Sequence, residues 1–136
     1  MSVRTKNFLV CILSLLIGGM VYILFRPTAI ISAMIGNDRW LTQLRFWMEP
    51  ISNGFVRNYI GDFLWMVALC CGLYGILLPK PGEKLHYIFG AGLLGVIWEL
   101  LQWLGAVKGT GDWLDVFMYG LAAFASFIIN RKEKEV

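Results

Sequence analysis

An uninterrupted apolar run near the amino terminus limits what this chain can fold into. Residues Phe8–Phe25 carry no charge, and 18 helical residues at 1.5 Å each extend about 27 Å, enough to cross the hydrocarbon of a bilayer. The run is long for the apolar part of a signal peptide, and Arg26-Pro27 follows it in place of a small-residue cleavage site. We therefore expect an uncleaved transmembrane helix.

Three more segments have the same apolar character and predict three more spans, at 62–78, 85–107 and 113–129. The 136 residues are 58% hydrophobic, which leaves too little polar surface for a water-soluble fold. We predict one transmembrane domain, residues 1–136, with an all-α fold: an integral membrane four-helix bundle.

The segment between the first two spans predicts an amphipathic helix. Its apolar residues share one helical stripe: Trp40, Leu41, Leu44, Trp47 and Met48. Asn37-Asp38 would start the helix and Pro50 would stop it. Tryptophans on the apolar side are typical of a helix that lies in the membrane interface. A cover packed on the other helices is a compatible alternative.

The distribution of lysine and arginine predicts the orientation. With four spans, the two termini and the 79–84 turn lie on one side and carry seven basic residues, against five on the other side. Short cytoplasmic segments are enriched in lysine and arginine. We therefore expect a multi-pass protein of the inner (plasma) membrane with both termini in the cytoplasm.

Polar residues inside the last two spans indicate a candidate site. Within Gly95–Tyr119, Glu99 and Gln102 lie three residues apart, as do Asp112 and Asp115, so each pair shares a helix face. A carboxylate in hydrocarbon costs at least about 2.5 kcal/mol and usually faces a protein interior or a wet cavity. A breaker-rich turn at 108–111 separates the pairs, so an antiparallel fold would bring all four together.

Asp62, with Arg57 just before it, starts the second span at the same end of the bundle. We expect an outer-face ligand-binding site built from six residues: Glu99, Gln102, Asp112, Asp115, Asp62 and Arg57. Structural roles are open for several of them. Asp62 and Asp112 could be helix N-caps, and Asp115 could serve the helix dipole. Glu99, near the carboxyl end of its helix, either pairs with Arg57 or Lys108, is protonated or lines a wet pocket.

The sequence does not favour a metal, a cofactor or nucleic acid. The three cysteines lie in apolar runs at no metal-binding spacing, and no D-x-D or H-E-x-x-H pattern occurs. Most basic residues flank the apolar runs and form no stripe interleaved with aromatics. We expect no cofactor and no nucleic-acid partner.

Three motifs resemble the VanZ-like family of small integral membrane proteins: Glu99-Leu100-Leu101-Gln102, the Gly-Thr-Gly turn and Asp112-Trp113-Leu114-Asp115. The stretch Arg57–Trp65 is also similar, so the resemblance covers roughly Arg57–Phe124. The family is named for a protein linked to resistance to the glycopeptide teicoplanin. The resemblance implies a membrane fold, an acidic site and a role in the cell envelope connected with antibiotic resistance, without specifying a reaction.

Three functions fit these observations. The first is binding of an envelope small molecule or lipid-linked ligand, with membrane lipids as the other partners. The second is an enzyme in which a carboxylate acts as general acid–base on a lipid headgroup. The third is a small transporter in which Glu99 carries protons or cations. Because four short helices enclose little pore, a transporter would need a homo-oligomer.

Overall fold

The apolar runs of the sequence form helices in a computed structural model that describes residues 1–26, 39–109 and 111–131. The described residues form five α-helices: α1 (Val3–Phe25), α2 (Arg39–Met48), α3 (Gly61–Leu77), α4 (Lys84–Trp103) and α5 (Trp113–Asn130). Within these ranges, four helical segments are long and apolar enough to cross a membrane. The predicted all-α, multi-pass four-helix fold is confirmed.

The first span is longer than predicted, and its start has a defined cap. The Ser2 hydroxyl accepts a hydrogen bond from the Thr5 amide at 3.1 Å, so the helix begins at Val3, five residues before Phe8. A serine side chain in this position satisfies an amide that has no partner within the helix.

The second span also begins earlier than predicted. A π-helix at Val56–Ile60 leads without a break into α3, so the span runs Val56–Leu77. The Asn53 side chain accepts from the Val56 amide at 2.8 Å and so serves the start of the segment. The prediction that the span starts at Asp62 is therefore wrong. Segments of π-helix are rare and often occur at functional sites.

The third span ends at Trp103, four residues before the predicted end. Gly105 adopts a left-handed conformation (φ 70°), its amide donates to the Gln102 carbonyl, and the Ala106 amide donates to the Leu101 carbonyl. This pair of bonds is the Schellman motif, in which glycine is the residue best able to take a positive φ. The fourth span, Trp113–Asn130, agrees with its prediction to within one residue.

The helix α3 lies at the centre of the bundle and packs against α1, α4 and α5, while α4 also packs on α5. Its inner face contributes mainly medium-sized and small side chains to the core, including Val67, Cys70 and Cys71. Small residues let helices approach closely where lipid gives little hydrophobic drive for association. Large apolar side chains point outward instead, for example Phe89 and Phe124, which are 68% and 63% exposed.

The predicted amphipathic helix is confirmed as α2, beside α1. Leu41 is fully buried, and the Arg45 guanidinium donates to the Ile23 carbonyl at 2.8 and 3.1 Å. The tryptophans of the predicted stripe, Trp40 and Trp47, are 59% and 71% exposed. The packing of α2 on α1 therefore leaves both tryptophans exposed. That α2 lies in the membrane interface stays a prediction. The predicted start at residues 37–38 lies outside the described ranges.

A buried amide pair joins the first and last helices. Asn7 and Asn130 exchange side-chain hydrogen bonds of 2.8 and 3.1 Å, and both residues are at most 1% exposed. Their remaining amide hydrogens go to the carbonyls of Val3 and Ser126. The Lys6 ammonium donates to the Ile129 carbonyl at 2.8 Å beside the pair. Every side-chain donor of the two asparagines is satisfied, so the pair can stabilise the bundle where water is absent.

We expect Asn7→Ala to lower the free energy of unfolding by about 1–3 kcal/mol, because Asn130 would keep a buried donor and acceptor without partners. Unfolding of the detergent-solubilised protein by denaturant, followed by circular dichroism, measures this loss. The double variant Asn7→Leu/Asn130→Leu should recover most of it, and the exposed Asn58→Ala should change little. Equal stability of Asn7→Ala and the parent protein would contradict a stabilising pair.

Candidate functional site

Glu99 is the most deeply buried acidic residue of the candidate site, at 1% exposed. Its Oε1 accepts a hydrogen bond from the Tyr119 hydroxyl at 2.9 Å, and its Oε2 accepts from the Asp112 main-chain amide at 3.1 Å. The predicted approach of Glu99 to Asp112 across the turn is confirmed. Both carboxylate oxygens are thus engaged within the protein.

Asp112 caps α5 and also joins it to the segment before α3. Its Oδ1 accepts from the Leu114 amide at 3.0 Å, which confirms the N-cap alternative. Its Oδ2 accepts from the Tyr59 hydroxyl at 2.9 Å. Because Tyr59 belongs to the π-helix, Asp112 connects the start of α5 to the segment that leads into α3.

Asp62 has a different role from the N-cap that the sequence suggested. Its Oδ1 accepts from the Tyr22 hydroxyl at 2.8 Å, and its Oδ2 lies 3.9 Å from the Arg26 guanidinium. The cap role is wrong because the helix continues through this position from the π-helix. Asp62 instead connects α3 to the end of α1.

The guanidinium near Asp62 belongs to Arg26, whereas the sequence had suggested Arg57. Arg26 donates to the main-chain carbonyls of Arg57 and Asn58, each at 2.9 Å. These hydrogen bonds connect the end of α1 to the π-helix. The Arg57 side chain is exposed, and its carbonyl is the group that takes part.

Asp115 completes the acidic cluster, by which we mean Asp62, Glu99, Asp112 and Asp115. It lies in the first turn of α5, close enough to the other three carboxylates for their charges to interact. Its Oδ1 is buried and has no hydrogen-bond partner among the described residues. Buried polar atoms are nearly always paired in native proteins, so this oxygen requires an explanation.

The Gln102 side chain packs against the turn that follows α4. Its amide packs over Gly109, where an added Cβ would lie 2.6 Å from the side-chain nitrogen. On the same side of α4, Glu99 is therefore buried in the bundle, whereas the Gln102 side chain contacts the turn at Gly109. Lys108 is exposed.

Two glycines make room for the tyrosines that bind the carboxylates. A Cβ at Gly61 would lie 2.7 Å from the Tyr22 ring, and one at Gly95 would lie 2.7 Å from the Tyr119 ring. Each ring therefore crosses a helix at a glycine, where no side chain blocks it. The Tyr22 hydroxyl then reaches Asp62, and the Tyr119 hydroxyl reaches Glu99. Any larger residue at these positions would displace the ring.

Four further residues contact the acids of the site and were not predicted from the sequence: Tyr22, Arg26, Tyr59 and Tyr119. Two weak signals were present. Tyr22 and Arg26 are four residues apart near the end of the first span, at the same end as Asp62, and Tyr119 lies one helical turn from Asp115. Neither signal specifies which acid a long side chain will reach.

A cavity of about 310 Å³ lies between α3 and α4, next to the acidic cluster. Its charged end is Asp62, and most of its wall is apolar, from Trp65, Leu69, Leu94 and Trp98. Trp65, Leu94 and Trp98 are 42%, 53% and 48% exposed, so the cavity opens on the outside of the bundle.

No three His, Cys, Asp or Glu side chains in the described ranges are arranged to hold a metal ion. The chemistry of the site is therefore that of carboxylates, tyrosine hydroxyls and one guanidinium.

Comparison of the chain with protein families, with curated proteins and with solved structures finds no match. The resemblance to the VanZ-like family stays a prediction carried by its short motifs.

We expect Tyr119→Phe to lower the free energy of unfolding by about 1.5–3 kcal/mol, since the buried Glu99 carboxylate would lose a donor. Tyr59→Phe is the matched control, because Asp112 keeps its bond from the Leu114 amide and Tyr59 is less buried. Denaturant unfolding in detergent micelles compares the two variants. Equal losses of unfolding free energy in the two variants would mean that the Tyr119–Glu99 hydrogen bond stabilises the fold no more than the Tyr59–Asp112 bond does.

Proposed function

We propose that this chain is a VanZ-like protein of the inner (plasma) membrane that binds a cell-envelope ligand through its acidic cluster. The ligand carries ammonium or hydroxyl groups, as glycopeptide-like and lipid-linked envelope molecules do, and binding contributes to antibiotic resistance. The observation that carries the proposal is the buried Asp115 Oδ1 without a partner among the described residues.

The hydrogen bonds of the site support binding at Asp115. Glu99, Asp112 and Asp62 each accept a tyrosine hydroxyl, and Glu99 and Asp112 accept a main-chain amide as well. A carboxylate oxygen left unpaired in a buried site costs about 1–3 kcal/mol or more. A ligand donor at Asp115 would offset that cost.

The charge of the site supports a cationic or hydroxylated ligand. Four carboxylates lie together, with Arg26 as the cation that contacts one of them at 3.9 Å. Like charges packed closely cannot all stay ionised without compensation. A ligand ammonium would compensate charge and donate hydrogen bonds at once.

One observation favours binding over the enzyme hypothesis. Both oxygens of Glu99 are engaged within the protein, which disfavours a role as the group that exchanges protons with a substrate.

We expect Asp115→Asn to weaken binding of teicoplanin to the purified protein about tenfold or more, the scale of one charge-assisted hydrogen bond. Calorimetric titration in detergent measures the affinity, and Glu99→Gln should weaken binding as well by disturbing the cluster. Glu83→Gln, an exposed acid at the other end of the bundle, is the control. If Asp115→Asn and Glu99→Gln both bind like the parent, the acidic cluster is structural.

The orientation is a separate prediction, based on the seven-to-five distribution of basic residues. After the native cysteines are replaced by alanine, Lys108→Cys should react with an impermeant thiol reagent added to intact cells. Glu83→Cys, at the opposite end, should react only once the membrane is opened. The reverse pattern would place the acidic cluster on the cytoplasmic side.

A further inference from the structure

A second cavity runs between α4 and α5, and we call it the α4–α5 groove. Its volume is about 1090 Å³, and its walls include the exposed apolar residues Phe89, Leu93 and Phe124. On α4 its lining extends from Leu85 to Val96, which is about 17 Å along the helix axis. Because α4 and α5 are both long and apolar enough to span a membrane, the groove opens toward lipid.

Two glycines keep the groove open. Gly90 and Gly120 are exposed, and a Cβ added at either position would meet no atom of another described element within 4 Å. The packing of the described helices therefore does not require glycine at these two positions. A larger side chain there would occupy the groove and leave the bundle as it is.

The length of the groove matches one leaflet of a bilayer. The hydrocarbon core is about 30 Å thick, so one leaflet contributes about 15 Å. The groove begins at Leu85, next to the first residue of α4, and its lining on α4 stops at Val96, before the helix reaches Glu99. It therefore starts at the end of the bundle away from the acidic cluster and extends about as far as a lipid chain of that leaflet does.

Two basic residues lie at the start of the groove. Lys84 precedes the lining residue Ile88 by four positions, and Arg131 follows the lining residue Phe127 by four, so each cation continues a stripe that lines the groove. Arg131 keeps helical dihedral angles and is exposed. The Lys84 ammonium lies 3.4 Å from the Asn130 carbonyl, which places it between the ends of the two helices. The apolar groove thus has a basic end.

This combination selects the occupant. A basic site between membrane helices attracts anionic lipid headgroups, and the apolar groove beside it fits the acyl chain of the same molecule. A second copy fits less well. Two copies with the same orientation in the membrane would bring Lys84 and Arg131 to the same depth on facing surfaces, where like charges repel. The acid next to Lys84 is Glu83, which accepts from the Lys80 amide at 3.3 Å in the preceding turn.

We propose that the α4–α5 groove binds an anionic phospholipid of the adjacent leaflet. Its phosphate lies at Lys84 and Arg131, and one acyl chain lies along Gly90 and Gly120. This lipid site is at the other end of the bundle from the acidic cluster, and it does not depend on the proposed function.

Photo-crosslinking tests both the headgroup and the location. The full chain is reconstituted in phosphatidylcholine nanodiscs that contain a small share of a phospholipid with a diazirine on its acyl chain. The headgroup of this probe is either glycerol, which leaves the lipid anionic, or choline. Mass spectrometry measures the labelling of residues 84–96 and 116–131. We expect roughly tenfold more labelling by the glycerol lipid, since each basic residue near the membrane surface contributes about fivefold.

Charge variants test the basic end. Lys84→Gln and Arg131→Gln should each reduce labelling by the glycerol lipid about fivefold and leave labelling by the choline lipid unchanged. Arg4→Gln is the control, because it removes the same charge from an exposed position on α1, which does not line the groove. Circular dichroism checks that each variant is folded, and two separate cations keep the test valid if one variant fails to fold.

Filling the groove tests the chain position. Gly90→Leu and Gly120→Leu should each remove most of the labelling by both lipids. Gly19→Leu is the matched control: an added Cβ there also meets no atom of another described element within 4 Å, but Gly19 lies on α1. Labelling should be unchanged in this control.

Four outcomes would overturn the proposal. Equal labelling by the two headgroups, or equal effects of Arg4→Gln and the two charge variants, would mean that the groove does not select anionic lipid. Unchanged labelling in Gly90→Leu and Gly120→Leu would place the lipid elsewhere. Chemical cross-links between copies that disappear in these leucine variants would mean that the groove holds a second copy. Loss of labelling with millimolar inorganic phosphate would mean that the basic end binds a soluble anion.

Discussion

The Glu99 carboxylate lies among apolar helices, and the two donors that it accepts both come from residues after the turn that follows α4. The Asp112 amide and the Tyr119 hydroxyl can reach it only when α5 folds back along α4. An unpaired carboxylate at this depth would cost several kcal/mol, so its pairing constrains the whole hairpin. From there the bonds extend outward, since Asp112 also accepts from Tyr59 in the π-helix before α3.

Tyrosine suits this task because most of its surface is apolar and its hydroxyl is a donor. Tyr22 and Tyr119 cross neighbouring helices at Gly61 and Gly95, so each glycine provides the space that its tyrosine needs to reach a carboxylate. The opposite end of the bundle is held differently, by the Asn7–Asn130 pair, whose hydrogen bonds involve no charge. An excess of negative charge is therefore confined to the end that contains the candidate site.

Hydropathy and residue spacing were enough to predict the spans and the approach of Glu99 to Asp112, because both depend on local pattern and one short turn. They could not predict that Arg26 would lie beside Asp62. Arg57 is nearer in sequence, but the π-helix exposes its side chain and leaves its carbonyl to Arg26. The end of α4 could have been found from Gly105, which occupies the position after a helix where glycine is favoured. The cavity depends on where α3 and α4 separate, which no local pattern records.

The burial of Glu99 also bears on how the protein is made. The first span is the most apolar of the four, while the segments that form α4 and α5 are the least apolar and carry the carboxylates. Such segments partition weakly into lipid one at a time, because each acid adds an unfavourable transfer term. The Glu99 bonds to Tyr119 and Asp112 form only when both helices are present, so α4 and α5 gain by leaving the translocation channel as a pair. The contact that shapes the site thus also favours insertion of the last two helices together over insertion of either one alone.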